Sequence, residues 1–80
     1  MNQQQLIVSA LIKEADAKEA KALANLQNYM ANPVGVGEHP DIVSECMKLI
    51  KEIADARETI SIITQIWKPE ELNEKTTSEN

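Results

Sequence analysis

The chain has 80 residues, of which 42% are hydrophobic, and its 13 acidic and 8 basic residues give a net charge of −5. This length allows one small domain, and the acidic balance argues against bare nucleic acid as a partner, because phosphates are bound by clustered Lys and Arg. The single cysteine, Cys46, excludes an intrachain disulfide, and this cysteine usage predicts a cytoplasmic protein. Every apolar run is shorter than the roughly 20 residues that span a bilayer, so no membrane partner is predicted.

The first predicted helix covers residues from about 3 to 31. It is rich in Ala, Leu, Lys, Glu and Gln, which are good helix formers, and it contains neither Gly nor Pro. Alanine dominates its middle, so a partner helix is able to approach closely there while burying little apolar area. Glu19 interrupts the apolar stripe, which indicates a position at the rim of a core. The stripe consists of Val8, Ile12, Ala15, Ala22, Leu26 and Met30, with Leu11, Leu23 and Tyr29 beside it.

A connection over residues 32–40 separates this helix from the next. Pro33 ends the first helix, because the residue before a proline is pushed out of the α region. Gly35 and Gly37 tolerate positive φ and allow the chain to reverse. The second helix is predicted to begin at about Pro40 or Asp41, with Pro40 at the first helical position and His39 near the N-cap. The Asp41 carboxylate in the first turn complements the positive end of the helix. The two helices therefore form an antiparallel hairpin.

The second predicted helix runs from about 41 to 67 and has the sharper pattern. Its apolar residues alternate in steps of four and three over about three and a half heptads, the period of left-handed helix packing. We define these residues as the seam and predict that it mediates self-association. The seam consists of Ile42, Cys46, Leu49, Ile53, Ala56, Ile60, Ile63 and Trp67.

Further apolar residues flank the seam and widen the stripe. In the first half of the helix they lie on one side of the seam, and in the second half they lie on the other side. A single partner helix covers only a narrow a/d stripe, so this surface must meet a further partner. A second copy is the economical candidate, since C2 dimers are the commonest assembly, and two hairpins would form a four-helix bundle. The flanking residues are Val43, Met47, Ile50 and Ala54, followed by Ile62 and Ile66.

The pattern stops after the seam. Pro69 cannot continue a helix. Residues 69–80 are polar and acidic and nearly lack apolar anchors. This composition predicts a disordered tail.

Residues with chemical potential gather around the connection. Gly35 and Gly37 before a helix resemble part of a phosphate cradle, but the preceding strand, the third glycine and the Lys-Ser/Thr pair of the known motifs are missing. Cys46 lies on the apolar seam, where cysteine usually behaves as a small hydrophobe. Carboxylates near one histidine are typical of a solvated helix start as well as of a metal site, so no metal, cofactor or catalytic residue is assigned. The carboxylates and histidine concerned are Glu38, His39, Asp41 and Glu45.

The segment 32–41, Asn-Pro-Val-Gly-Val-Gly-Glu-His-Pro-Asp, resembles a stretch in small uncharacterised proteins of tailed phages, especially marine and T-even-like ones. Those proteins are similar in plan over residues 10–66, with an Ala/Leu/Lys/Glu helix, this connection and an acidic helix with an Ile/Leu seam. The resemblance implies a viral origin and a host-cytoplasm setting. It implies no activity and no catalytic residue.

Two functions follow from these patterns. The first is a non-enzymatic interaction protein that self-associates as a helical bundle, with the dimer favoured. The alternative is a phage-encoded regulator that docks on a host or phage protein through the acidic face of the second helix. The over-wide apolar stripe and the lack of a catalytic set favour the first.

Overall fold

The computed structural model describes residues 1–32 and 41–68, which form two α-helices and no strand. Helix α1 spans Gln3–Ala31 and helix α2 spans Ile42–Ile66. The helices pack against each other, so the predicted all-α hairpin is confirmed. Neither described helix is long and apolar enough to cross a membrane. The predicted chain reversal and the predicted disorder of the tail concern residues 33–40 and 69–80, which lie outside the described residues.

The contacts between the helices show that they are antiparallel. Glu19 of α1 binds Arg57 of α2, whereas Ala22, one turn further along α1, lies in a cluster with Ile53 and Leu49. Higher residue numbers on α1 therefore meet lower numbers on α2. This register brings the end of α1 level with the start of α2.

Side-chain caps fix where both helices begin. At α1, the Asn2 side chain accepts a hydrogen bond from the Gln5 amide at 2.8 Å, and the Gln5 side chain accepts one from the Asn2 amide at 3.0 Å. At α2, the Asp41 carboxylate accepts from the Ser44 amide at 3.0 Å. Asp41 is thus the N-cap and not a residue of the first turn, which corrects the sequence prediction. The physical reason is that an N-cap oxygen satisfies an amide that has no partner within the helix.

The core lies along a single line of contact between the two helices. The residues of α1 that face α2 alternate three and four positions apart, as in a coiled coil. Tyr29 occupies the last of these positions, whereas Met30, which the sequence placed in the stripe, is 63% exposed. A step of three residues beyond Leu26 reaches Tyr29, whereas Met30 lies four residues beyond it. Tyr29 therefore faces α2 in place of Met30. The buried residues are Val8, Ala15, Ala22, Leu49, Ile53, Ala56 and Ile63.

Replacement of a core residue tests this packing. Ile53 is 8% exposed and contacts the cluster that includes Ala22 and Leu49. We expect Ile53→Ala to lower the free energy of unfolding by about 2–5 kcal/mol, because the deletion leaves a cavity that the helices fill only partly. Urea unfolding followed by circular dichroism at one fixed protein concentration measures the change. Ile62→Ala is the matched control, since Ile62 is 46% exposed, and an equal loss in both variants would contradict this core.

The N-cap of α2 gives a second prediction. Asp41→Ala removes the acceptor for the Ser44 amide and is expected to cost about 0.5–2 kcal/mol of unfolding free energy. Asp41→Asn keeps a capping oxygen and should retain most of the stability. Thermal unfolding of the three proteins at equal concentration separates the cap from the charge, and equal losses for Ala and Asn would exclude the capping role.

Candidate interaction surfaces

The seam of α2 faces α1 within the hairpin. Its residues Leu49, Ile53, Ala56 and Ile63 are buried, and the remaining four are half-buried. The self-association role assigned to the seam stays a prediction, because the single chain already covers half of it. The half-buried seam residues are Ile42, Cys46, Ile60 and Trp67.

The residues that flank the seam are exposed. Val43 is 71% exposed and Ile66 is 59% exposed, and the other large flanking residues show a similar fraction. These values place most of the flanking surface outside the contact with α1. The structure therefore leaves the widened part of the stripe available to a partner. The other exposed flanking residues are Met47, Ile50, Ala54 and Ile62.

One side of the hairpin is an open groove, which we call the groove face. Charged and polar side chains from both helices line most of its length, among them Lys18 and Lys21 from α1 and Glu52 and Asp55 from α2. Leu11 lines the groove at the end formed by the start of α1. By helical spacing, the exposed residues Ile7, Ile62 and Ile66 belong to the same end of this face. The groove face thus carries charged side chains along its middle and a group of large apolar side chains at one end.

The opposite side, which we call the apolar face, has a different character. Near the connection it presents exposed Met30 from α1 and exposed Val43, Met47 and Ile50 from α2, with half-buried Leu23 between them. Exposed alanines continue the surface toward the middle of the hairpin. This apolar area therefore combines residues from both helices and continues over small side chains into the middle of the hairpin. The alanines are Ala20 and Ala54.

An ion pair joins the helices at the edge of the apolar face. The Arg57 Nε donates to Glu19 Oε2 at 2.7 Å, and the two side chains are 64% and 22% exposed. Glu19 occupies a facing position of α1, and its partial exposure agrees with the rim position predicted from the sequence. The sequence analysis missed this pair, since Arg57 becomes its partner only once the register of the two helices is known. The ion pair therefore holds one negative and one positive side chain together in the middle of the hairpin.

The side chains that could carry chemistry lie partly outside the described residues. In residues 1–32 and 41–68, no three His, Cys, Asp or Glu side chains are grouped so as to hold a metal ion. Glu38 and His39 of the candidate ion cluster lie outside the described residues, as do Gly35 and Gly37. Cys46 is a free, half-buried thiol.

Comparison of the chain with known proteins found no matching family model, no matching curated protein and no matching solved structure. The resemblance to small phage proteins stays a prediction.

A double-mutant cycle measures the ion pair. We expect a coupling of about 0.5–1 kcal/mol between Glu19→Gln and Arg57→Gln, near the upper limit for exposed pairs, because Glu19 is largely shielded from solvent. Glu14 and Lys18 form the matched control, with their charged atoms 3.8 Å apart on the exposed surface of α1. Their coupling should be smaller, about 0.3–0.5 kcal/mol. Denaturant unfolding of the variants gives both values, and a coupling near zero for Glu19 and Arg57 would show that the pair does not stabilise the hairpin.

Proposed function

We propose that the chain is a small non-enzymatic interaction protein that self-associates as a helical bundle, with the dimer as the favoured species. The observation that carries the proposal is the imbalance between core and surface. Three of the seven buried residues are alanine, whereas ten large hydrophobic residues are exposed among the described residues. A protein with this distribution gains stability when a further helical layer covers its surface.

The energy available from such coverage is large compared with the stability of a small domain. Complete burial of one Val, Leu, Ile or Met side chain contributes about 1.5–3 kcal/mol. A single small core in a chain of this size rarely supplies more than about 3–5 kcal/mol. Val43, Met47 and Ile50 are between about half and three quarters exposed, so covering what remains of the three would contribute roughly 2.5–5 kcal/mol, which is comparable with the core of the hairpin.

A four-helix bundle is the arrangement that fits these elements. Both helices already pack with coiled-coil spacing, and two antiparallel hairpins supply the four helices that such a bundle requires. A second copy brings the same exposed residues to the interface without a further protein. In the setting that the phage resemblance implies, assembly would take place in the host cytoplasm.

The heterologous alternative, a regulator that binds through the acidic face of α2, has less support. Glu45, Glu52 and Glu58 are interspersed with Lys48 and Lys51 along this helix, so its charge is mixed. An acidic mimic of nucleic acid would present a more continuous negative surface. If another protein covers the surface instead of a second copy, the test for self-association below will show a monomer.

Analytical ultracentrifugation over a range of micromolar concentrations tests the proposal. We expect the mass to exceed 8.9 kDa and to rise with concentration. The thermal midpoint should rise as well, because association binds the folded state. A folded monomer whose mass and midpoint do not change with concentration would refute self-association. Affinity capture from infected cells would then ask whether another protein covers the surface.

A further inference from the structure

The two faces of the hairpin differ in how well each would serve as the interface of the proposed dimer. The groove face carries Lys18, Lys21, Glu52 and Asp55 along its middle, and burying these charges between two copies would remove them from water. The apolar face presents mostly aliphatic side chains near the connection. Its middle carries only a few charges, which include Asp16 and Arg57 with opposite signs. The apolar face is therefore the better interface.

We propose that a second copy of this chain covers the apolar face, with the two hairpins parallel and the two-fold axis running along the bundle. This inference rests on the proposed function, since it specifies the interface of the self-associated form. In both copies, the end of α1 and the start of α2 lie at the same end of the dimer. Each α1 contacts its own α2 on one side and the α2 of the partner copy on the other.

The register supports this orientation. A two-fold axis along the bundle keeps every residue at its own height, so α1 meets the partner's α2 antiparallel and in the register seen within one chain. The apolar half of each copy then meets the apolar half of the other. Leu23 and Met30 come level with Ile50 and Val43 of the second copy. In the middle of the bundle, Ala20 of one copy comes level with Ala54 of the other copy. Their small side chains allow the two helices to approach closely.

Charge complementarity supports the same orientation. Arg57 is held at the edge of the apolar face by Glu19. Asp16 lies one turn before Glu19 on α1 and is exposed. In the parallel dimer, each Asp16 comes within about one helical turn of the height of the other copy's Arg57. Two such pairs form by symmetry, and the opposite charges are complementary in the part of the interface that is not aliphatic.

The area required for a stable dimer distinguishes this arrangement from the alternative with a perpendicular two-fold axis. A helix of 29 residues is about 43 Å long and about 10 Å wide, so two helices side by side offer a strip of roughly 800 Å². This value equals the standard area of about 800 Å² per partner. With a perpendicular axis, the apolar halves overlap only when the hairpins are shifted, and about half of the strip stays uncovered. The parallel dimer uses the whole length.

Distances between spin labels test the orientation. Ser44, Lys51, Glu58 and Gln65 are exposed on the outer side of α2 at intervals of one heptad. Each is replaced singly by Cys in a Cys46→Ser background, and pulsed dipolar spectroscopy measures the distance between the two equivalent labels of a dimer. We expect the four distances to agree within a few ångströms. With a perpendicular axis, each heptad changes the separation along the bundle by up to about 21 Å.

The outcomes separate this inference from the proposed function. Four equal distances support the parallel dimer. Distances that vary strongly along α2 in a protein that sediments as a dimer overturn the parallel orientation and leave self-association intact. The absence of dipolar coupling in a protein that sediments as a monomer overturns both.

Charge reversal tests the face independently of the labels. We expect Asp16→Lys to raise the dissociation constant of the dimer about 3- to 10-fold, because it places Lys near Arg57 of the other copy. Asp55→Lys makes the same charge change on the groove face and should leave the dissociation constant nearly unchanged. Sedimentation equilibrium measures both constants, and circular dichroism at high concentration confirms that both variants fold. A larger effect for Asp55→Lys than for Asp16→Lys would overturn the assignment of the apolar face.

Discussion

The structure depends on the constraint that two helices share only one line of contact. Along this line α1 contributes two alanines and one valine to the buried set, and α2 contributes Leu49, Ile53, Ala56 and Ile63. Alanine lets the helix axes approach but removes little apolar area from water. The seam residues of α2 therefore pack mainly against the small side chains of α1. The apolar residues beside the seam remain exposed to solvent.

The charged residues give the two sides of the hairpin different properties. On the groove face, Lys18 and Lys21 line the same groove as Glu52 and Asp55, so this side is well solvated as it stands. On the other side, the Glu19–Arg57 pair is direct and short, and the exposed residues toward the connection are mostly aliphatic. The groove face thus carries charges along its middle, whereas the apolar face is aliphatic toward the connection, and this difference favours further packing on the apolar face.

The sequence predicted α2 more completely than α1 for a physical reason. The seam of α2 consists almost entirely of Ile, Leu and similar residues, so its spacing is visible without a structure. In α1 the facing positions include Gln5, Glu19 and two alanines, which dilute the pattern and led to Met30 being placed in the stripe instead of Tyr29. The cap at Asp41 and the Glu19–Arg57 pair depend on local geometry and on the register between helices, and the spacing of apolar residues alone determines neither. The flanking residues of α2 were predicted to be in excess of one partner helix, and the structure shows them exposed.

Thin packing would link the stability of the fold to the proposed self-association. Helices of 29 and 25 residues are long enough to form readily, but most of the stability of a helix in a protein comes from packing of its apolar side. When part of the apolar side is covered only by a second molecule, binding of that molecule favours the folded state. The population of the folded state then depends on protein concentration. The same aliphatic residues then contribute to folding and to the choice of partner. Arg57 would contribute to both folding and association, since it joins the two helices of one chain and lies at the edge of the surface that a second chain would cover.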